Sequence, residues 1–270
     1  MVTAFDRHER EHWAGRAADY ERSFAGLCGY PIEKLLDAAG VGAGMRVLDV
    51  GTGTGNVAAG ARRRGALVVG VDAEPSMVEA ARRKVPGADV RLGVLPELPF
   101  GDGEFDVAVS NFVVNHVGDP RAAVREMRRV VAGGGRVAVS VWPQPRPALQ
   151  RLWDDVFAAA GGEAKVAMPM VEQDRNFART GEGVAALLNS AGLEDVECVE
   201  LRWEHRVDPE DWWAGPAGGL GALGMLMQGQ PDDVRARIRA EYERAVARHL
   251  DGDGRLAMAT AALIGAGRRP

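Results

Sequence analysis

The chain has 270 residues, 46% of them hydrophobic and 26% charged, a composition of folded globular proteins that excludes a disordered or fibrous chain. Its 33 basic and 38 acidic side chains leave a formal charge of −5, so no overall attraction to nucleic-acid phosphates or anionic lipid is expected. Cys28 and Cys198 lie far apart with no Cys-x-x-Cys or Cys/His array, which indicates reduced, buried thiols, no disulfide framework and no metal site.

The first residues, MVTAFDRHEREHW, are charged and lack the apolar centre of a secretory signal. No run of 18 apolar residues follows, so a cytoplasmic protein without a membrane partner is expected. Over residues 1–40, Trp13, Tyr20, Phe24, Leu27, Ile32, Leu35 and Leu36 fit two short helices broken near Pro31, forming a helical cover.

From Met45 the texture alternates between strand and helix. Strands are expected at 45–51, 66–72, 88–93, 105–111 and 135–142, with helices near 55–64, 75–84 and 119–132 between them. The strand runs are rich in valine and apolar on both faces, as a parallel sheet covered by helices requires. Asp119 and Pro120 open the last of these helices, and the glycines at 133–135 are expected to end it. Residues 143–178, with PQPRP and GGEAK, read as irregular, followed by a helix near 180–191 and a strand near 195–207. A helical cap insertion is expected over 208–250, with Val234, Ile238, Tyr242, Val246 and Leu250 four residues apart, and 251–270 supplies a last strand. The expected architecture is α/β: a doubly wound, mostly parallel sheet in one domain, with its core at 41–142 and the remainder of the core with a lid segment at 143–207.

The chemistry-bearing segment is VLDVGTGTG, residues 47–55: a buried strand, the acidic Asp49, and glycines at 51, 53 and 55 before a helix. Glycines admit a ligand close to the backbone, and the helix N-terminus behind them offers unpaired N–H groups and partial positive charge. Asp72 closes the second strand, where a carboxylate accepts hydrogen bonds from both ribose hydroxyls of a nucleoside. The dinucleotide pattern G-x-G-x-x-G fails because Asn56 takes the third glycine's place, and no Gly-Lys-Ser/Thr of a P-loop follows. Asp49 would repel a pyrophosphate and suit a ligand carrying an ammonium group.

These residues resemble the class I S-adenosylmethionine-dependent methyltransferases, in particular the small-molecule group similar to ubiquinone/menaquinone C-methyltransferases. The likeness runs over residues 45–142, through VLDVGTGTGN, VVGVDAEPSM, GVLPELPFGDGEFDVAVSNFVVNHV and EMRRVVAGGGRVAVSVW. It implies a seven-stranded Rossmann-like fold with an antiparallel last strand, S-adenosyl-L-methionine as cofactor and S-adenosyl-L-homocysteine as product. On matching positions it implies that Asp49 with Gly51, Thr52, Gly53 and Gly55 holds the methionine end and that Asp72 takes the ribose. Ala73 and Met77 would pack on one side of adenine, Val94 and Leu95 on the other, with Asn111 facing the methionine moiety and Tyr20 reaching the cofactor. Where the family often reads Gly-Asp-Ala, this chain has Gly93, Val94 and Leu95, so an acidic contact to the adenine amino group is missing.

Transfer to an oxygen or carbon acid needs a base, and His116, just beyond the fourth strand, is the candidate; a hydrogen-bonded edge histidine is the competing reading. His205 and Glu204 are weaker candidates, and His8, His12 and His249 fall in polar, solvated helices. Trp13, Phe24, Trp142, Trp212 and Trp213 are candidate substrate-binding residues for an apolar or aromatic small molecule, and Met225 and Met227 a further apolar wall; ordinary packing explains the same residues. The fourth strand ends in SNFV and lacks the Asn/Asp-Pro-Pro-aromatic signature of nucleic-acid amino methyltransferases. Three alternatives remain: a cofactor-binding protein of the same fold with non-methylating chemistry such as a cyclisation, an NAD-dependent oxidoreductase, and a non-catalytic partner or scaffold, which the complete cofactor motif disfavours.

Overall fold

The computed structural model describes residues 3–161 and 169–270. Strands β1 (Arg46–Val50), β2 (Leu67–Asp72), β3 (Asp89–Leu92), β4 (Phe105–Asn111), β5 (Val131–Val141), β6 (Glu194–Val207) and β7 (Leu256–Arg268) form one sheet in the order β3-β2-β1-β4-β5-β7-β6. The five strands from β3 to β5 run parallel, and β7 enters antiparallel between β5 and β6. The chain reverses direction at β1, where β2 and β4 flank it, so the loops after β1, β2 and β4 open on one edge, the place where doubly wound sheets bind ligands.

Alternation within each strand fills both faces. Val47 joins Ile32, Leu36, Val57 and Ala61 on one side, while its neighbour Leu48 joins Val124, Met127, Val184 and Leu188 on the other. The first face is covered by α4 (Ile32–Ala38) and α5 (Asn56–Arg63), the second by α7 (Pro120–Val130) and α9 (Gly181–Ser190), with α6 (Pro75–Lys84) over β2 and β3. Side-chain caps start several of them: Asp119 accepts from Ala122 N at 2.8 Å, and Thr180 from Gly183 N at 3.1 Å.

The N-terminal cover departs from the expected pair of helices. Among the described residues it has four: α1 (Ala4–Trp13), α2 (Ala17–Ser23), α3 (Ala25–Gly29) and α4. One extra break falls at Gly15, whose φ of +74° lies where helical residues do not go. Helix α7 stops at Val130, and glycines 133–135 lie inside β5, not at a helix end. There a Cβ on Gly135 would lie 2.3 Å from the Asp106 carbonyl oxygen, beside a register shift between Phe105 and Val107.

The stretch read as irregular contains α8 (Ala148–Ala159), which buries Leu149, Leu152, Trp153, Val156 and Phe157; the end of GGEAK, from residue 162, lies outside the described residues. The excursion after β6 is α10 (Pro209–Ala217), α11 (Gly221–Gln228) and α12 (Asp232–Val246), and the last strand, Leu256–Arg268, falls within the expected 251–270. With α8, these helices build a third core around Trp153, Ile238, Tyr242 and Leu256. Among the described residues no helix is long and apolar enough to cross a membrane.

Candidate functional site

Three of the glycines after β1 have left-handed backbones, with φ of +70° at Gly51, +54° at Gly53 and +88° at Gly55. Gly51 and Thr52 donate their N–H groups to the Val71 carbonyl at 2.8 Å each, folding the loop back over β2. A Cβ on Gly51 would lie 2.2 Å from a Val113 methyl, whereas one on Gly53 would meet nothing nearer than Tyr20 at 3.9 Å. Gly51 is thus required for packing, and Gly53 keeps space free.

Asp49 is fully buried beneath this loop. Its Oδ2 accepts from Thr52 Oγ1 at 2.6 Å and Ala58 N at 3.0 Å, while Oδ1 has no partner among the described residues. Burial pushes the carboxyl up to about 7 against the pull of those two bonds. Asp72 accepts from Gly53 N at 2.8 Å on Oδ2 and from Glu74 N at 3.0 Å on Oδ1. Burial raises it to about 6, opposed by these amides and reinforced by the Glu74 charge.

These elements open into one cavity of about 390 Å³, within the range of small-molecule sites. Tyr20, Gly51, Gly53, Asp72, Ala73, Met77, Val94, Leu95 and Asn111 line it, as do Trp13, Phe24, His116, Trp142 and Trp212. Thr52 lines a small recess beside it with Thr54 and Asn56. Asp49 and Gly55 lie behind the wall. A Cβ on Gly55 would sit 3.1 Å from the Ala81 backbone, so that glycine seats α5 against α6.

Beyond β4, Asn111 and Phe112 close the centre of the cavity. Asn111 Nδ2 donates to the Cys28 carbonyl at 2.9 Å, and Ser140 Oγ donates to Asn111 Oδ1 at 2.6 Å. Phe112 is held at φ +61°, with its N–H donated to Ser140 Oγ at 3.0 Å and its ring stacked on Trp142 at 3.8 Å and 14°. His116, in the 3-10 turn Val114–His116, meets Glu9 Oε2 through Nδ1 at 2.7 Å, and the ring of Trp13 stands edge-on to it at 5.6 Å.

Other candidates lie elsewhere. Trp213 faces away from the cavity into the cap core, 5.1 Å from Tyr242 and under the Arg239 guanidinium at 4.9 Å. Met227 is buried in that core as well, and Met225 does not line the cavity. His205 is buried on β6, its Nε2 without a partner among the described residues and its ring 6.0 Å from Trp212, and burial lowers its pKa; Glu204 is exposed. His12 sits in a helix expected to be solvated, yet it is only 7% exposed. Cys28 is buried, its thiol pushed up to about 12 by burial, while Cys198 is half-buried.

The sequence reading missed Glu9, Arg10, Phe112, Val113, Arg146, Gln150 and Trp153, all of which line the cavity. Trp153 had a signal, the helical spacing of its apolar neighbours. Glu9 had none, since its partner lies 107 residues away.

A family model described as a methyltransferase domain matches residues 48–139. The chain is 33% identical over 169 residues to a demethylmenaquinone methyltransferase of Beutenbergia cavernae, covering 60% of this chain and 70% of that one. It is 35% identical over 111 residues to the corresponding enzyme of Renibacterium salmoninarum, covering 41% and 47%. The chain thus spans about half the length of several curated relatives it matches. Among solved structures, an S-adenosylmethionine-dependent methyltransferase of Thermotoga maritima, titled a possible histamine N-methyltransferase, shares the fold with a TM-score of 0.56 at 18% identity, covering 97% of this chain and all of that one. With its sheet order, its glycine loop and these likenesses, the chain belongs to the class I S-adenosylmethionine-dependent methyltransferase family.

Proposed function

We propose that the protein transfers the methyl group of S-adenosylmethionine to a small, apolar, aromatic-sized acceptor, with His116 as the base where the acceptor is an oxygen or carbon acid. The observation that carries this reading is the continuity of one cavity: the glycine loop and Asp72 at one end, His116 and an indole-rich wall at the other.

The residues fit the cofactor. Gly53 leaves open the space a backbone-hugging ligand takes, and the partnerless Oδ1 of Asp49 provides buried negative potential for a cation. Asp72 would hold the ribose hydroxyls on the lone pairs its amide bonds leave free, and Ala73, Met77, Val94 and Leu95 would enclose adenine. When bound, the cofactor supplies an electrophilic methyl group on a sulfonium. The chain's own residues then position and dry the acceptor: Phe24, Phe112, Trp142 and Trp212 supply flat apolar surface, and such alignment is worth about 7–11 kcal/mol in favourable cases. His116 takes the proton an acidic acceptor must lose.

Calorimetry with S-adenosylhomocysteine and NAD in parallel tests the cofactor, binding of NAD alone being the outcome against it. Labelled S-adenosylmethionine with a panel of phenolic, quinol-like and polyketide-like acceptors tests the transfer. Turnover that leaves the cofactor intact would move the protein to non-methylating chemistry.

A further inference from the structure

Asp6, Glu9, Arg10 and Trp13 of α1 line the cavity, yet α1 buries only His12 among its own residues. A ten-residue helix with so little buried apolar surface needs other anchors. Polar tethers provide them. Asp6 Oδ1 accepts from Gly118 N at 2.7 Å, and Gly15 N, just past the helix, donates to Glu74 Oε1 at 3.1 Å. The approach at Gly118 is close enough that a Cβ there would lie 2.0 Å from Thr3 Oγ1. The third tether is Glu9 Oε2 to His116 Nδ1 at 2.7 Å.

That third tether has the geometry of an orienting pair. The same Glu9 oxygen accepts from Trp13 Nε1 at 3.2 Å, which fixes the carboxylate, while the Trp13 ring abuts the imidazole. Burial alone would raise the Glu9 carboxyl, but the bond and charge of His116, then the Trp13 bond, bring it below the usual carboxylate range. Ionised, Glu9 offers only acceptors. A neutral His116 bonded to it must therefore carry its hydrogen on Nδ1 and keep the lone pair on Nε2.

We infer that Glu9 is a positioning residue for His116: α1 lays its carboxylate across the cavity to hold the imidazole in the Nδ1–H form, so that the base is complete only while α1 is docked. The inference rests on the proposed role of His116. As Nε2 takes the acceptor's proton, the bonding pair stays on the acceptor and the imidazolium is paired with Glu9. Undocking of α1 both opens the cavity and withdraws the carboxylate, so the form with a basic Nε2 becomes the minor one when water can enter.

Long-range nitrogen–proton NMR of the imidazole-labelled full chain at about pH 8.5 reads the tautomer directly, with His116→Gln assigning the signal. The wild type should show His116 mainly as Nδ1–H. Glu9→Ala should convert it mainly to Nε2–H, the form a free imidazole prefers, and Asp6→Ala, which cuts a different tether of α1, should lower the Nδ1–H fraction as well. A wild-type Nε2–H majority overturns the inference without any variant, as does an unchanged Nδ1–H majority in folded Glu9→Ala. Titration of the same wild-type sample with S-adenosylhomocysteine keeps the two readings apart: absent binding defeats the cofactor assignment, while the tautomer decides the role of Glu9.

Discussion

Gly53 donates its backbone N–H to Asp72 Oδ2 at 2.8 Å, joining the loop after β1 to the last residue of β2. The carboxylate proposed to hold the ribose is therefore also what sets the height of the glycine loop. Removing it takes away ligand contacts and loosens the cradle together.

Asp72→Ala is accordingly expected to weaken S-adenosylhomocysteine by about tenfold to a hundredfold, since a hydrogen bond to a charged group contributes about 1.5–3 kcal/mol. Titration calorimetry measures this. An affinity within about threefold of the wild type would remove Asp72 from the site.

Gly51 and Gly53 should separate folding from binding. Gly53→Ala meets no steric obstacle and incurs only left-handed strain, about 1 kcal/mol, yet puts a methyl group where the ligand would lie. It should fold and bind S-adenosylhomocysteine poorly. Gly51→Ala drives a methyl into Val113, whose β-branched side chain has few rotamers to retreat to, and should lose about 1–3 kcal/mol beyond that strain. Urea denaturation of both variants checks the order; equal stabilities would show that the loop yields at either position.

What was legible in the sequence was local. Val47 and Leu48 announce a strand buried on both faces, and they do enter opposite cores. The span from Asp49 to Gly55 lies within a single turn of chain, and Asp72 is placed by the strand it ends. What stayed hidden depends on distant partners or on angle. Glu9 acquires meaning only when α1 crosses the cavity. Trp212 and Trp213 are adjacent and alike in sequence, but successive helix positions differ by about 100°, so one reaches the cavity and the other Tyr242. In α8, the Pro-rich lead-in masked a sound apolar stripe through Leu149, Leu152, Trp153 and Val156.

The two acidic residues of the cradle should leave a pH signature opposite to that of ordinary carboxylates. Burial holds Asp49 at about 7 and Asp72 at about 6, above the unfolded value of about 3.9. Between those limits the folded chain binds more protons than the unfolded one. Their stabilising contribution is thus full below about pH 4 and is lost as pH rises through 6 to 7. Asp49→Asn keeps an oxygen for Thr52 and Ala58 and carries no charge. Without ligand it should gain stability relative to the wild type between about pH 5 and 8, on the order of 1–3 kcal/mol. Glu9 and Glu126, whose carboxyls are lowered, act in the other sense but cancel in this comparison. Paired melting curves at the two pH values measure it, and a gap that does not change with pH would contradict the buried charge. The wild type should bind S-adenosylmethionine more tightly at the higher pH, where both carboxylates are ionised for a cationic ligand.

Phe112 offers the sharpest test of strain in the cavity wall. A non-glycine residue at φ +61° costs about 1–2 kcal/mol, and here it is held by the Ser140 bonds and by the stack on Trp142. Deleting the ring costs about 3–5 kcal/mol in either of two ways, but Phe112→Ala keeps the strain while Phe112→Gly releases it. Phe112→Gly should therefore be the more stable variant by about 1 kcal/mol, reversing the usual advantage of alanine. Denaturant unfolding of the two compares them directly, and alanine ahead of glycine would mean that the backbone relaxes once the ring is gone. Both variants should hold S-adenosylhomocysteine within about threefold of the wild type if the ring lines the proposed acceptor side; a larger loss would move Phe112 to the cofactor side of the cavity.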